Sequence, residues 1–145
     1  MIHLETVTPE NWRLGLRVRK DQEHFVSDSY KLLARAWAYR DSRSRAFVIY
    51  DDDVPAGMAL YYDIEDLDAY DLSQLFIDER YQGRGYGTKA SEMILSLMEE
   101  DGRFDKVILC YIEGNEAARH LYEKLGFRLT GETDGDEIIM EKRLR

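Results

Sequence analysis

The stretch D-E-R-Y-Q-G-R-G-Y-G-T-K-A-S, residues 78–91, sets glycine at 83, 85 and 87, just where a strand pattern gives way to a helical one. Upstream, Leu72–Ile77 reads as a strand. Downstream, Tyr86–Glu100 carries Ala90, Met93, Ile94, Leu97 and Met98 at helical spacing, and Asp101–Gly102 closes the helix. A strand-to-helix turn of this kind leaves the first N–H groups of the helix without backbone partners. Gly83 and Gly85 can take backbone angles closed to other residues, and their missing β-carbons let an anion approach the main chain. The stretch is not the nucleotide P-loop, because Gly87 is followed by Thr88 and only then by Lys89. Nor is it the dinucleotide fingerprint, whose third glycine would stand at Thr88.

Working outward, Ile2–Thr8 alternates as a strand, and Pro9 suits the first turn of a helix to Lys20 with Thr8 as its N-cap. A second helical pattern runs from Asp21 to Tyr39, with Phe25, Leu32, Leu33, Ala36 and Trp37 among its apolar positions. Ala46–Tyr62 reads as two strands around an acidic turn at Asp51–Asp53, followed by the acid-rich D-I-E-D-L-D-A-Y-D at residues 63–71. Lys106–Ile112 is an apolar strand. Asn115 caps a helix bearing Ala118, Leu121, Tyr122 and Leu125, which Gly126 ends. Two strands about Asp134–Gly135 complete the chain. Helices and strands alternate without a linker, so residues 1–145 are expected to form one layered α/β domain.

The composition narrows the partners. Asp and Glu number 29 against 20 Lys and Arg, and a net charge of −9 repels a polyphosphate backbone while favouring a cation. No apolar run reaches the roughly 20 residues of a membrane span, and M-I-H-L-E-T-V lacks the basic and apolar regions of a signal peptide, so the expected location is cytoplasmic. His3, His24 and His120 form no metal-ligand spacing, and no metal is expected. Cys110, the single cysteine, is expected to be an inert core residue.

The pattern Q-x-x-G-x-G at Gln82, Gly85 and Gly87 resembles the pyrophosphate loop of the GNAT N-acetyltransferase superfamily, and N-E-A-A-R-H-L-Y-E-K-L-G-F at residues 115–127 resembles its second signature. Within that superfamily, F-I-D-E-R-Y-Q-G-R-G-Y-G and L-Y-E-K-L-G-F are similar to bacterial spermine/spermidine (diamine) acetyltransferases. The resemblance implies the GNAT fold: a mixed, mostly antiparallel twisted sheet of about seven strands, about four flanking helices, and central strands splayed at the cofactor site. It also implies acetyl-CoA as cofactor, held by Leu75, Phe76 and Ile77 along the strand and by Gln82, Gly83, Arg84, Gly85, Tyr86, Gly87 and Thr88 at the pyrophosphate. Asn115, Ala118 and Lys124 complete that cofactor set.

The activity implied is transfer of an acetyl group to a primary amine, most directly a polyamine such as spermidine or spermine. Other acceptors stay open, namely an amino acid, an antibiotic or a protein N-terminus, as does a non-catalytic acyl-CoA-binding domain; a homodimer is one expected assembly. Tyr122 is the expected general acid, since a phenol with an ordinary pKa near 10 suits protonation of a departing thiolate. The base is not assigned by the resemblance, because Ser73 stands where some polyamine acetyltransferases carry an acid. Asp71, two residues earlier on the same face of the strand, is one candidate, and Glu79 acting through water is another. Asp66, Asp68 and their acidic neighbours are expected to line the path of a cationic acceptor together with Asp71 and Ser73.

Overall fold

The computed structural model describes residues 1–26 and 28–145. Seven strands form one sheet: β1 (Ile2–Thr6), β2 (Arg45–Asp51), β3 (Val54–Ile64), β4 (Ala69–Ile77), β5 (Lys106–Ile112), β6 (Arg128–Asp134) and β7 (Glu137–Arg143). Three α-helices flank it: α1 (Ser29–Ala38), α2 (Tyr86–Asp101) and α3 (Glu116–Lys124). The spatial order is β1-β2-β3-β4-β5-β7-β6, and every neighbouring pair is antiparallel except β4 and β5.

The sheet separates two apolar cores. Ala90, Ile94, Leu95 and Met98 of α2 pack on Tyr61, Tyr70, Leu72, Val107 and Leu109 on one face, with α3 against the same layer. Leu32 of α1 packs on Val48, Met58, Leu60, Tyr62 and Phe76 on the other. Leu32 is fully buried, and truncating it to alanine would cost about 2–5 kcal/mol. α2 ends as the sequence implies, with Gly102 at φ +71 and its N–H bonded to the Met98 carbonyl at 3.0 Å.

The N-terminal quarter departs from expectation. Residues 9–19 form no helix, and only a single 3₁₀ turn follows at Lys20–Gln22. Thr8 does not cap one; its N–H donates to Asn11 Oδ1 at 2.7 Å, and Asn11 Nδ2 donates to the Thr6 carbonyl at 3.1 Å. Farther on, the Arg17 N–H donates to Asp78 Oδ2 at 3.0 Å and its carbonyl accepts from the Glu79 N–H at 2.8 Å. Backbone groups that a helix would need are thus spent on the end of β4, and Gly15 at φ +70 breaks the helical path besides. The second expected helix starts only at Ser29, where Asp28 Oδ1 accepts from the Lys31 N–H at 2.8 Å. The expected span Asp21–Tyr39 includes position 27, which lies outside the described residues. Trp37, expected among the apolar positions, faces solvent and stacks under the Arg40 guanidinium at 4.3 Å.

Candidate active site

β4 and β5 pair in parallel over only three positions, Ala69↔Lys106, Tyr70↔Val107 and Asp71↔Ile108. Beyond Asp71 they part. The β5-facing edge of residues 72–77 then carries no strand ladder among the described residues, and a cleft of about 1230 Å³ opens along it.

A bulge shapes β4 at the same point. Leu60 pairs with Gln74 and Tyr61 with Leu72, so Ser73 is the extra residue. A bulge bends its strand and re-aims side chains. Before it, Tyr70 and Leu72 face the α2 core; after it, Leu75 and Ile77 do. Asp71 pairs across with Tyr62 on the α1 side, and Ser73 Oγ accepts a hydrogen bond from Arg35 Nη1 of α1 at 3.2 Å. Nothing in the local sequence announces this bulge.

At the far end of β4 the chain makes a short 3₁₀ turn at Glu79–Tyr81 and enters α2 through the glycines. Gly83 and Gly85 sit at φ +78 and +80, and a β-carbon on either would meet nothing within 4 Å. Gly85 is the N-cap of α2 and no side chain caps it, so the opening N–H groups of that helix stay free for an anion. Gly87 differs. It lies within the helix, and a β-carbon there would make only ordinary contacts of 3.7 Å with Ile77 and Leu121. Gln82 Nε2 donates to the Ile77 carbonyl at 3.0 Å and to Gln22 Oε1 at 2.9 Å, tying this turn to the N-terminal segment.

Of the residues expected in the site, the cleft is lined by Asp71, Ser73, Leu75, Phe76, Ile77, Gln82, Gly83, Gly85, Tyr86, Gly87, Asn115, Ala118 and Tyr122. Glu79 lines it as well. The Phe76 ring is buried in the α1 core, so this residue offers the cleft its backbone. Arg84 and Thr88 belong to the same turn without lining the cleft, and Arg84 stacks on Tyr81 at 5.6 Å. Lys124 is exposed at the end of α3, away from the lining. Asn115 is a true helix cap, its Oδ1 accepting from the Ala118 N–H at 3.2 Å.

The acidic stretch lies elsewhere. Asp63 is buried and held by Arg43 at 2.5 Å, Arg103 at 3.0 Å and Arg45 at 3.3 Å, while Arg103 also pairs with Glu65. Arg43 reaches Asp101 at the C-terminal end of α2 as well, at 2.8 Å. Asp66 and Asp68 are exposed beside this cluster and do not line the cleft. The glycine turn is at the other end of α2, roughly 24 Å away along a 16-residue helix.

Two titrating groups flank the gap. Tyr122 is buried against the α2 side, its ring 5.6 Å from Phe127, and burial pushes its phenol up to about 12. Asp71 is half-buried on the α1 side. Burial pushes its carboxyl up to about 6, against the pull of a hydrogen bond from Tyr62 and the charge of Arg35, with Glu137 adding to the rise. Cys110 corrects the expectation of a core thiol: Val107, Leu109 and Tyr111 of β5 turn inward, while Cys110 points the other way, exposed to the cleft left by the parting of β4. Desolvation by the cleft walls, then Asp71, Glu137 and Asp134, push that thiol up to about 11, which keeps it protonated and a poor nucleophile.

The model of the acetyltransferase (GNAT) family matches residues 10–127. The chain belongs to that family. Acetyl-coenzyme A is the family's acetyl donor, and the uncapped start of α2, the open turn at Gly83 and Gly85 and the unladdered edge of β4 fit its pyrophosphate and its extended arm. The chain is 38% identical over 74 residues to the spermine/spermidine N(1)-acetyltransferase of Bacillus subtilis (strain 168), a match covering 50% of this chain and 49% of that one. It is 32% identical over 92 residues to the spermidine N(1)-acetyltransferase of Escherichia coli (strain K12), covering 63% of this chain and 50% of that one. The chain thus spans about half the length of the curated relatives it matches. Among solved structures, the spermidine N-acetyltransferase of Vibrio cholerae in complex with CoA and spermine superposes with a TM-score of 0.80 at 18% identity, covering 99% of this chain and 95% of that one. That likeness establishes the GNAT fold, whose splayed central strands and seven-stranded sheet agree with the sequence expectation; three α-helices stand where about four were expected.

Proposed function

We propose that this chain is an acetyl-CoA-dependent N-acetyltransferase acting on a primary amine, most directly a polyamine such as spermidine or spermine. The observation that carries the proposal is the placement of Asp71 and Tyr122 on opposite sides of the sheet, at the gap where β4 and β5 part. The cofactor supplies an acetyl thioester. This chain's backbone amides from Gln82 to Thr88 hold the pyrophosphate, and the free edge of Leu75–Ile77 aligns the pantetheine arm. Asp71, with its carboxyl near 6, is ionised at neutral pH yet basic enough to take a proton from an incoming ammonium, directly or through water. Tyr122 stays protonated throughout that range and holds the proton that a departing sulfur needs.

The polyamine reading is supported by the named activities of the B. subtilis and E. coli relatives and by the net charge of −9, which attracts a polycation. One observation favours a second reading. Lys31 and Arg35, one turn apart on α1, line the same cleft and suit an acceptor that also carries a carboxylate, such as an amino acid or a peptide N-terminus. Thiol release from acetyl-CoA across spermidine, spermine, a monoamine, free amino acids and short peptides decides between them. Preference for the polyamines, weakening as salt screens the charges, is the expected result. Preference for peptides selects the second reading, and binding of acetyl-CoA without turnover of any amine leaves a binding domain.

A further inference from the structure

Asp71 is surrounded from four elements. Tyr62 of β3 pairs directly across from it and favours its charged form, Glu137 of β7 presents a like charge, the Cys110 thiol of β5 faces the same cleft, and α1 presents the Arg35 guanidinium. Arg35 does not swing freely. Its Nη1 donates to Ser73 Oγ at 3.2 Å, and Ser73 is the residue that the β4 bulge adds. Two residues of strand put that anchor roughly 7 Å from Asp71 along β4. No carboxylate within ion-pairing distance neutralises Arg35 among the described residues, so its charge acts on the cleft.

We propose that Arg35 is a positioning residue for acetyl transfer: anchored on the bulged Ser73, its guanidinium holds Asp71 in the carboxylate form that accepts the proton of the incoming amine. The inference rests on the reading of Asp71 as the base, and it gives the serine at position 73 a task, that of fixing a cation beside the acid rather than being one itself. A buried or half-buried carboxylate facing only Tyr62 and Glu137 would drift toward the neutral form, and an opposite charge at this range opposes that drift.

Two readouts test it. The first is the titration of the Asp71 side-chain carboxyl by carbon NMR in folded wild type, Arg35→Gln, Arg35→Lys and Ser73→Ala proteins. The midpoint should rise by about one pH unit in Arg35→Gln, stay near wild type in Arg35→Lys, and rise by less in Ser73→Ala. The second is the pH profile of kcat/KM, whose acid limb should move upward with that midpoint, the Arg35→Gln enzyme recovering to within about twofold of wild type near pH 9. An unmoved midpoint in Arg35→Gln, or in Ser73→Ala where the first variant does not fold, overturns the assignment of Arg35. A loss of rate equal at every pH also overturns it, since that is what a merely structural residue produces. A midpoint that rises while the acid limb stays fixed overturns instead the reading of Asp71 as the base, and the catalytic part of this inference with it.

Discussion

Asp71 carries a cost that can be measured apart from catalysis. Its carboxyl is held near 6 in the fold against 3.8 ordinarily, so the folded state binds its proton more tightly than the unfolded chain does. Stability therefore falls as pH rises from about 4 through 6, by at most about 3 kcal/mol once Asp71 is fully ionised. Asp71→Asn should remove that penalty: its melting temperature should exceed that of wild type at pH 8, with the difference shrinking at pH 4, while turnover collapses. Tyr122 behaves oppositely. Tyr122→Phe keeps the ring against Phe127 and loses only the hydroxyl, so melting should be unchanged and coenzyme A should still bind. Turnover should drop by roughly 10²- to 10⁴-fold if the phenol supplies the proton. Because burial holds that phenol near 12, the pH profile of the residual activity should keep its shape between pH 6 and 10. Wild-type turnover in this variant removes Tyr122 from the reaction.

At the scale of the element, the glycine turn separates backbone need from ligand need. Gly83 and Gly85 stand at positive φ, where a side chain costs about 1–2 kcal/mol, so the chain needs them for its own shape. Gly87 is in ordinary helix with room for a methyl group, and in that setting alanine gains about 1 kcal/mol of helix stability over glycine. Nothing within the protein requires glycine there. Gly87→Ala should thus melt at or above the wild-type temperature and yet bind coenzyme A more weakly by calorimetry, because the methyl group occupies the approach of the phosphates. Unchanged affinity in that variant would show that the pyrophosphate does not lie over the start of α2. Gly85→Val is the harsher version, with strained backbone and lost affinity together.

Across the whole molecule, charge is sorted to the two faces of the sheet. Asp71 lies on the α1 side at the parting of β4 and β5, whereas its register neighbours Asp63 and Tyr70 turn to the α2 side, where Asp63, Glu65 and Asp101 are bound up with Arg43, Arg45 and Arg103 at the C-terminal end of α2. The Asp63 side chain is 1% exposed among three guanidinium groups, of which Arg43 keeps Asp101 and Arg103 keeps Glu65, so losing its charged hydrogen bonds in Asp63→Ala should cost about 1–3 kcal/mol. Chemical denaturation should show that loss, with coenzyme A affinity within about twofold of wild type for the protein that remains folded. Neutralising the exposed Asp66 and Asp68 to asparagine should leave both stability and the KM for spermidine unchanged. A KM that rises severalfold for spermidine but not for a monoamine would return those two acids to the acceptor's path.

Local features were legible in the chain because their physics is local. The strand-to-helix turn at Gly83 and Gly85, the Asn115 cap, the Gly102 and Gly135 turns and the periodicity of α2 and α3 follow from backbone angles and nearest-neighbour spacing, and with them came the family and its cofactor. What depended on distant partners was not legible. Residues 9–20 read as helix until the backbone of Arg17 is taken up by Asp78 and Glu79, and Cys110 reads as core until β4 turns away from β5. The acids at 63–68 read as one patch until Arg43, Arg45 and Arg103, from elsewhere in the chain, claim Asp63 and Glu65. The candidate site, with Asp71 and Tyr122 on opposite sides of a gap and Arg35 anchored on a bulged serine, exists only in the folded molecule. A gap and a bulge are relations between strands, and no single strand carries them.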